Sequence, residues 1–327
     1  MCFRLPTVMP TNSHTQLLAG LCLSLILFAG CMPKQSASIL QEKWVSGGTT
    51  ASIEDVPFFP QQDFQCGPAS LAMGMKYAGV EVSPEQLRPK LFIPKKRGAL
   101  QVEMLATPRR YGMLAYQLKP GMAALLQEIQ AGHPVIVFQN LGLKLSPQWH
   151  YAVVTGFDLN KKSITLHSGD TASDLMPLST FERTWVRAGS WAMLVLPAGG
   201  MPATANEKAY LTAVSMLENE GFHLTAQQSY EAAIKRWPNS FAARMGSGNS
   251  HYALGNLDRA QQIYLQATID FPDAGDAFNN LAQTYMDQKH YELAFEAIHQ
   301  AITLDSSSGI YHQTWSEILD KKQSNPG

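Results

Sequence analysis

FPQQDFQCGPASLAM, residues 59–73, places two glutamines and an acid ahead of one cysteine, then Gly67-Pro68, then small and apolar residues at helical spacing. Proline is favoured in the first turn of a helix, where its missing N–H has no intrahelical use, so the pattern predicts a helix starting at the cysteine. Leu71, Met75 and Ala78 form its apolar stripe and Gly79 ends it. Cys66 is therefore expected at the N-cap or first residue, where unpaired backbone N–H groups and the positive end of the helix dipole favour a thiolate. The alternative is a buried structural cysteine, which packs as a small hydrophobe.

Working outward, Ser83-Pro84-Glu85-Gln86 carries a capping-box pattern for a second helix, and residues 99–110 and 121–131 read as two more. The period then changes. VIVF at 135–138, YAVVTGF at 151–157, SITLH at 163–167 and SWAMLVL at 190–196 are β-branched or aromatic runs, with Asp158–Lys162 as the hairpin between two of them. Helices ahead of an antiparallel sheet predict an α+β domain over 51–197.

A thiol nucleophile needs a base, and this domain holds three histidines: His133, His150 and His167. His150 opens a strand after the loop 141–149, so its ring can project from the sheet edge while YAVV anchors the backbone. His133 precedes Pro134 and reads as a solvent-facing turn residue, and His167 reads as a partly buried, hydrogen-bonded one. No HExxH or CxxC spacing supports a metal site, and no cofactor is expected.

The segment VPFFPQQDFQCGPASLAM, followed some 84 residues after the cysteine by WHYAVVTGFD, resembles the papain-fold cysteine peptidases of family 39. The resemblance covers about 56–197. It implies Cys66 as nucleophile, His150 as general base and then acid, and Gln61 as part of the oxyanion hole, with Gln62 the alternative glutamine. The family's Asp-Pro, which orients the histidine, falls on Ser168-Gly169. Ser168 and the neighbouring Asp170 are the candidates for that role, with His167 third. A serine hydroxyl accepts the ring N–H but does not stabilise an imidazolium as a carboxylate does, so the triad reads as incomplete.

The C-terminal third repeats. Pro238 and Pro272 lie 34 residues apart, and the same period links Ala226, Ala260 and Ala294, then Tyr230, Tyr264 and Ile298, then Ala233, Ala267 and Ala301. This resembles three tetratricopeptide repeats at 207–240, 241–274 and 275–308, with a capping helix over 309–323, joined to the first domain by a linker at 198–206. Such an all-α array is either purely structural or a concave surface that docks a protein or peptide.

At the other end, Leu17–Phe28 is an apolar stretch shorter than a membrane span, followed by Ala29-Gly30-Cys31. LFAGC resembles the lipobox of bacterial lipoproteins, which implies a signal peptide over 1–30, lipidation at Cys31, a tether over 31–50 and a site at the outer membrane facing the periplasm. Of the four cysteines only Cys66 then remains as a free thiol. With 25 Lys+Arg against 26 Asp+Glu and no long charge run, no nucleic-acid footprint is present. Two function classes follow: a lipid-anchored cysteine peptidase whose repeats dock a protein partner or substrate, or an inactive peptidase-like scaffold.

Overall fold

The computed structural model describes residues 33–41, 48–61, 65–93 and 98–324. The expected signal segment, Cys31 and Gln62 lie outside the described residues. The elements run α1 (Lys34–Gln41), β1 (Thr50–Ser52), α2 (Cys66–Tyr77), α3 (Pro84–Leu91), β2 (Phe92–Ile93), β3 (Gly98–Ala99), α4 (Gln101–Arg109), β4 (Leu114–Gln117), α5 (Met122–Gln130), β5 (Val135–Asn140), β6 (Trp149–Asp158), β7 (Ser163–Ser168), β8 (Thr171–Pro177), α6 (Leu178–Arg187) and β9 (Ala192–Leu196). Seven helices follow: α7 (Glu207–Asn219), α8 (His223–Arg236), α9 (Phe241–Ala253), α10 (Leu257–Asp270), α11 (Gly275–Asp287), α12 (Tyr291–Leu304) and α13 (Gly309–Ser324).

The main sheet is antiparallel, in the order β4-β9-β5-β6-β7-β8, with β1 added to the far end of β6. Both faces are covered. One core packs α2, through Ala69, Leu71, Met73 and Met75, on Tyr151, Val153, Met193 and Val195 of the sheet. The other packs Leu125, Phe181 and Trp185 of α5 and α6 on Val135, Val137, Val154 and Leu194. Burial on both faces explains why β6 reads as a continuous apolar run rather than an alternating one. The capping box of α3 forms as expected: Ser83 N–H donates to Gln86 Oε1 at 2.8 Å.

Two parts differ from the sequence reading, and the linker gains a cause. Residues 34–41, taken as tether, form α1, because the buried Glu182 carboxylate accepts the N–H groups of Gln35 and Ser36 and the Ser36 hydroxyl at that helix's start. The linker is held against the first domain: Glu128 accepts Ala203 N–H (3.0 Å), Thr204 N–H (2.8 Å) and the Thr204 hydroxyl (2.6 Å). His133 is not a free turn residue, since its Nδ1 lies 2.8 Å from the same carboxylate.

The 34-residue series acquires a physical cause in the repeats. A Cβ added at Gly246 would land inside the ring of Tyr230, and one at Gly248 inside the ring of Tyr264. The tyrosines of α8 and α10 thus fill space that two glycines of α9, the helix between them, leave open.

Candidate functional site

The site forms where the sheet comes apart. β7 follows β6 from Ser163 opposite Asp158 to His167 opposite Val153, through a bulge at Val154/Gly156, and then turns back into β8. The first residues of β6 are left without that neighbour. Tyr151 lies in this notch with its N–H and C=O free of β7, and buried backbone groups must find partners. The N–H faces the Cys66 thiol, and the C=O accepts Gln61 Nε2 at 3.3 Å.

Cys66 is the first residue of α2. The helix start can sit this close because residue 67 is glycine: a Cβ there would lie 2.6 Å from Ala99 Cβ. Beneath it the Tyr151 hydroxyl donates to Ala99 O at 3.2 Å. Half-buried His150, one residue along β6, brings its Nε2 to 2.9 Å from Ser168 Oγ at the end of β7. That leaves Nδ1 as the ring nitrogen able to take a proton. Among the described residues no hydrogen bond joins the ring to the thiol.

Gln61 ties the notch together. Its N–H donates to Gly169 O at 2.8 Å, its Oε1 accepts Gly169 N–H at 3.1 Å, and its Nε2 is 3.3 Å from both Ser70 Oγ and Tyr151 O. One side chain therefore links the β7–β8 hairpin tip, β6 and α2. Asp170, at that tip, is exposed and accepts the Thr171 hydroxyl at 3.4 Å. His167 is committed elsewhere: Nδ1 accepts Ser173 N–H and Nε2 donates to Val56 O. Of the sequence candidates, Cys66, His150, Gln61 and Ser168 come together, and Asp170 and His167 do not join them.

The electrostatics differ from the expectation of a thiolate. Burial pushes the Cys66 thiol up, and the N–H groups of Tyr151, Gly67 and Cys66 itself offset only part of that rise. Burial also lowers His150 below the ordinary imidazole value of 6.5. Removal from water penalises each charged form, so near pH 7 both groups are neutral. The helix N-terminus supplies donors as foreseen, but desolvation outweighs it.

Sequence reasoning missed Tyr151 as a backbone partner, Ser70 as a side-chain one and Gly169 as the hairpin contact. Ser70 was visible as a polar residue four positions after Cys66 on an otherwise apolar face. The other two contribute backbone atoms, which residue type does not advertise.

Residues 53–193 match the Peptidase_C39 like family. Residues 217–268 and 246–309 match a tetratricopeptide repeat family. Among solved structures the chain is similar to a C39-like peptidase from Bacillus anthracis (21% identity, 45% of this chain and 97% of that one, TM-score 0.37). It is also similar to a double glycine motif protease from an AMS/PCAT transporter in complex with its leader peptide (22%, 44% and 93%, TM-score 0.34). The helical part is similar to YrrB, a tetratricopeptide repeat protein with an unusual peptide-binding site (23%, 35% and 59%, TM-score 0.34). No curated protein matches the chain. Residues 53–193 are thus similar to C39-like peptidases, and residues 217–309 to tetratricopeptide repeats.

Proposed function

We propose that this protein is a lipid-anchored cysteine peptidase of a bacterial cell envelope, tethered at Cys31 to the outer membrane on its periplasmic side, with repeats that dock a protein partner or substrate. One observation carries the catalytic reading: the thiol, a histidine with a free Nδ1 and a hydrogen-bonded Nε2, and a glutamine amide converge at one break in the sheet. Because burial keeps both groups neutral, His150 acts as a general base on a thiol rather than as half of a standing ion pair. Sγ forms a bond to the scissile carbonyl carbon as its proton passes to His150 Nδ1. The negative oxygen so formed is held by the Cys66 N–H and the Gln61 amide, which gives up one of its 3.3 Å contacts. His150 then hands the proton to the leaving amine as the C–N bond breaks; water, deprotonated by the same ring, attacks the thioester carbon, and the C–S bond breaks as the ring returns the proton to Sγ and the carboxylic acid departs. Ser168 Oγ accepts the ring's Nε2–H and holds the tautomer that this sequence requires.

A second reading is favoured by the raised thiol and by serine where the resemblance implies aspartate: a peptidase-like scaffold that binds without cleaving. The test is to incubate the full chain with a quenched-fluorescent random peptide library and identify new termini by mass spectrometry. Cleavage by the wild type that is absent from Cys66→Ala supports the peptidase. No cleavage by wild type with an intact thiol leaves the scaffold. For the anchor, incorporation of an alkyne-labelled fatty acid that is lost in Cys31→Ala is expected, and equal labelling of both would sink that part.

A further inference from the structure

We infer that the exposed face of Trp149 is a side-chain subsite, and that the peptide taken by the Cys66 site carries a bulky apolar residue within two positions of the bond that is cut. The inference deepens the peptidase reading and rests on it. Strand side chains alternate, so Trp149 and Tyr151 share the face of β6 that packs towards α2, the helix bearing Cys66. On that face the Trp149 ring stacks on Phe138 (centroids 5.2 Å apart, planes 13° apart), Phe138 lies on Tyr151 (4.6 Å) and Tyr151 meets Trp191 edge-on (5.8 Å). The inner rings of this row are held in the core, whereas Trp149 is 52% exposed. Burying its second face is the favourable change the row leaves unmade.

Position gives that surface its occupant. The thiol sits at the N–H of Tyr151, two residues from Trp149. Two residues of extended chain span about 6.6 Å, the distance at which a substrate attacked at Sγ places its flanking side chain. The neighbouring loop agrees in character. Asn140 Oδ1 fixes it by accepting Gly142 N–H and Gln148 N–H, and it holds Leu143 and Leu145 out at 70% and 100% exposure. Residues 141–149 contain no acid and one cation, Lys144.

The test compares three alkylating agents with one electrophile: iodoacetamide and its N-benzyl and N-(2-hydroxyethyl) derivatives. Each forms the same kind of S–CH2 bond at Cys66, its amide substituent staying on the adduct, with loss of iodide and release of the thiol proton to solvent. Rates on the full chain are divided by those on free cysteine, which removes intrinsic reactivity. The expected result is at least a tenfold preference for the benzyl over the hydroxyethyl compound, retained in Trp149→Phe and reduced to under threefold in Trp149→Ala. Wild type that treats the two alike overturns the subsite, as does a preference that survives Trp149→Ala. A Cys66 that reacts with none of the three under native conditions removes the peptidase reading, and the subsite with it.

Discussion

Replacing Ser168 by aspartate supplies the carboxylate that the family resemblance implies for this position, and it should convert a neutral pair into an ionised one. Wild type starts with the thiol above 9.0 and the ring below 6.5. A thiol above that value is less than about 1% ionised at pH 7, so iodoacetamide should label Cys66 slowly and ever faster through pH 9, with no plateau at neutral pH. His150→Ala should change this profile little, because no imidazolium is present to favour the thiolate. In Ser168→Asp a carboxylate takes a place now 2.9 Å from Nε2. At an effective dielectric of 20 and about 4 Å between charges, the attraction to an imidazolium is about 4 kcal/mol. Burying the new carboxylate opposes this, and if half survives, about 2 kcal/mol raises the ring by roughly 1.5 pK units. The raised ring carries more positive charge near neutrality and lowers the thiol in turn. The alkylation rate at pH 7 should rise about tenfold and gain a plateau that His150→Ala removes in the double variant. The assay is the pH–rate profile of labelling, read by mass spectrometry at Cys66 from pH 5 to 10. A low-pH plateau in wild type, abolished by His150→Ala, would show that the pair is already ionised and that desolvation does not dominate.

Gly67→Ala forces a methyl to within 2.6 Å of Ala99 Cβ and should destabilise the protein by about 1–3 kcal/mol. Urea unfolding should show recovery in Gly67→Ala/Ala99→Gly, and no recovery would place the cause elsewhere. Glu128→Gln should cost about 2 kcal/mol, since it weakens three hydrogen bonds to a buried charge. Burial raises Glu128, but His133, Thr204 and Ala203 bring it below the ordinary 4.5 on balance. Its stabilisation is therefore present above 4.5 and lost as pH falls through the lower folded value, a slope that thermal unfolding should find in wild type and not in the variant. Gly246→Ala should lower the unfolding midpoint through the clash with Tyr230, and a midpoint within error of wild type would refute that packing.

How far the sequence carried the reading depends on what kind of atom did the work. α2, the strands β5, β6, β7 and β9 and the seven C-terminal helices all follow patterns of side chains: Gly67-Pro68, unbroken apolar runs and a 34-residue period. α1 was missed because the carboxylate that fixes its start, Glu182, is 146 positions from Ser36, whereas α6 was missed although Leu178, Phe181 and Trp185 stand at helical spacing. The short β4 and the exposed, polar β8 carry too little apolar pattern to announce themselves. The same division holds at the site. Cys66, His150 and Gln61 were legible as residue types in order, yet the direction of the thiol's shift was not, because it depends on burial that a linear pattern does not measure.

The position that matters most for chemistry is Ser168. Its hydroxyl stands 2.9 Å from His150 and can fix the ring's tautomer, but it brings no charge to stabilise the imidazolium that the proposed attack would form. In a site that is already desolvated, that missing charge would fall on the transition state of the proposed reaction, where the ring carries the proton and negative charge gathers on the carbonyl oxygen. A carboxylate would also stabilise the resting ion pair and expose a reactive thiolate at all times. With serine the thiol stays protonated, and on the peptidase reading it would do so until a bound peptide supplied both an electrophile and the exclusion of water. On the proposed peptidase reading, the arrangement would therefore favour a slow enzyme whose turnover depends on substrate contacts, such as the one inferred at Trp149, over one that attacks any accessible peptide.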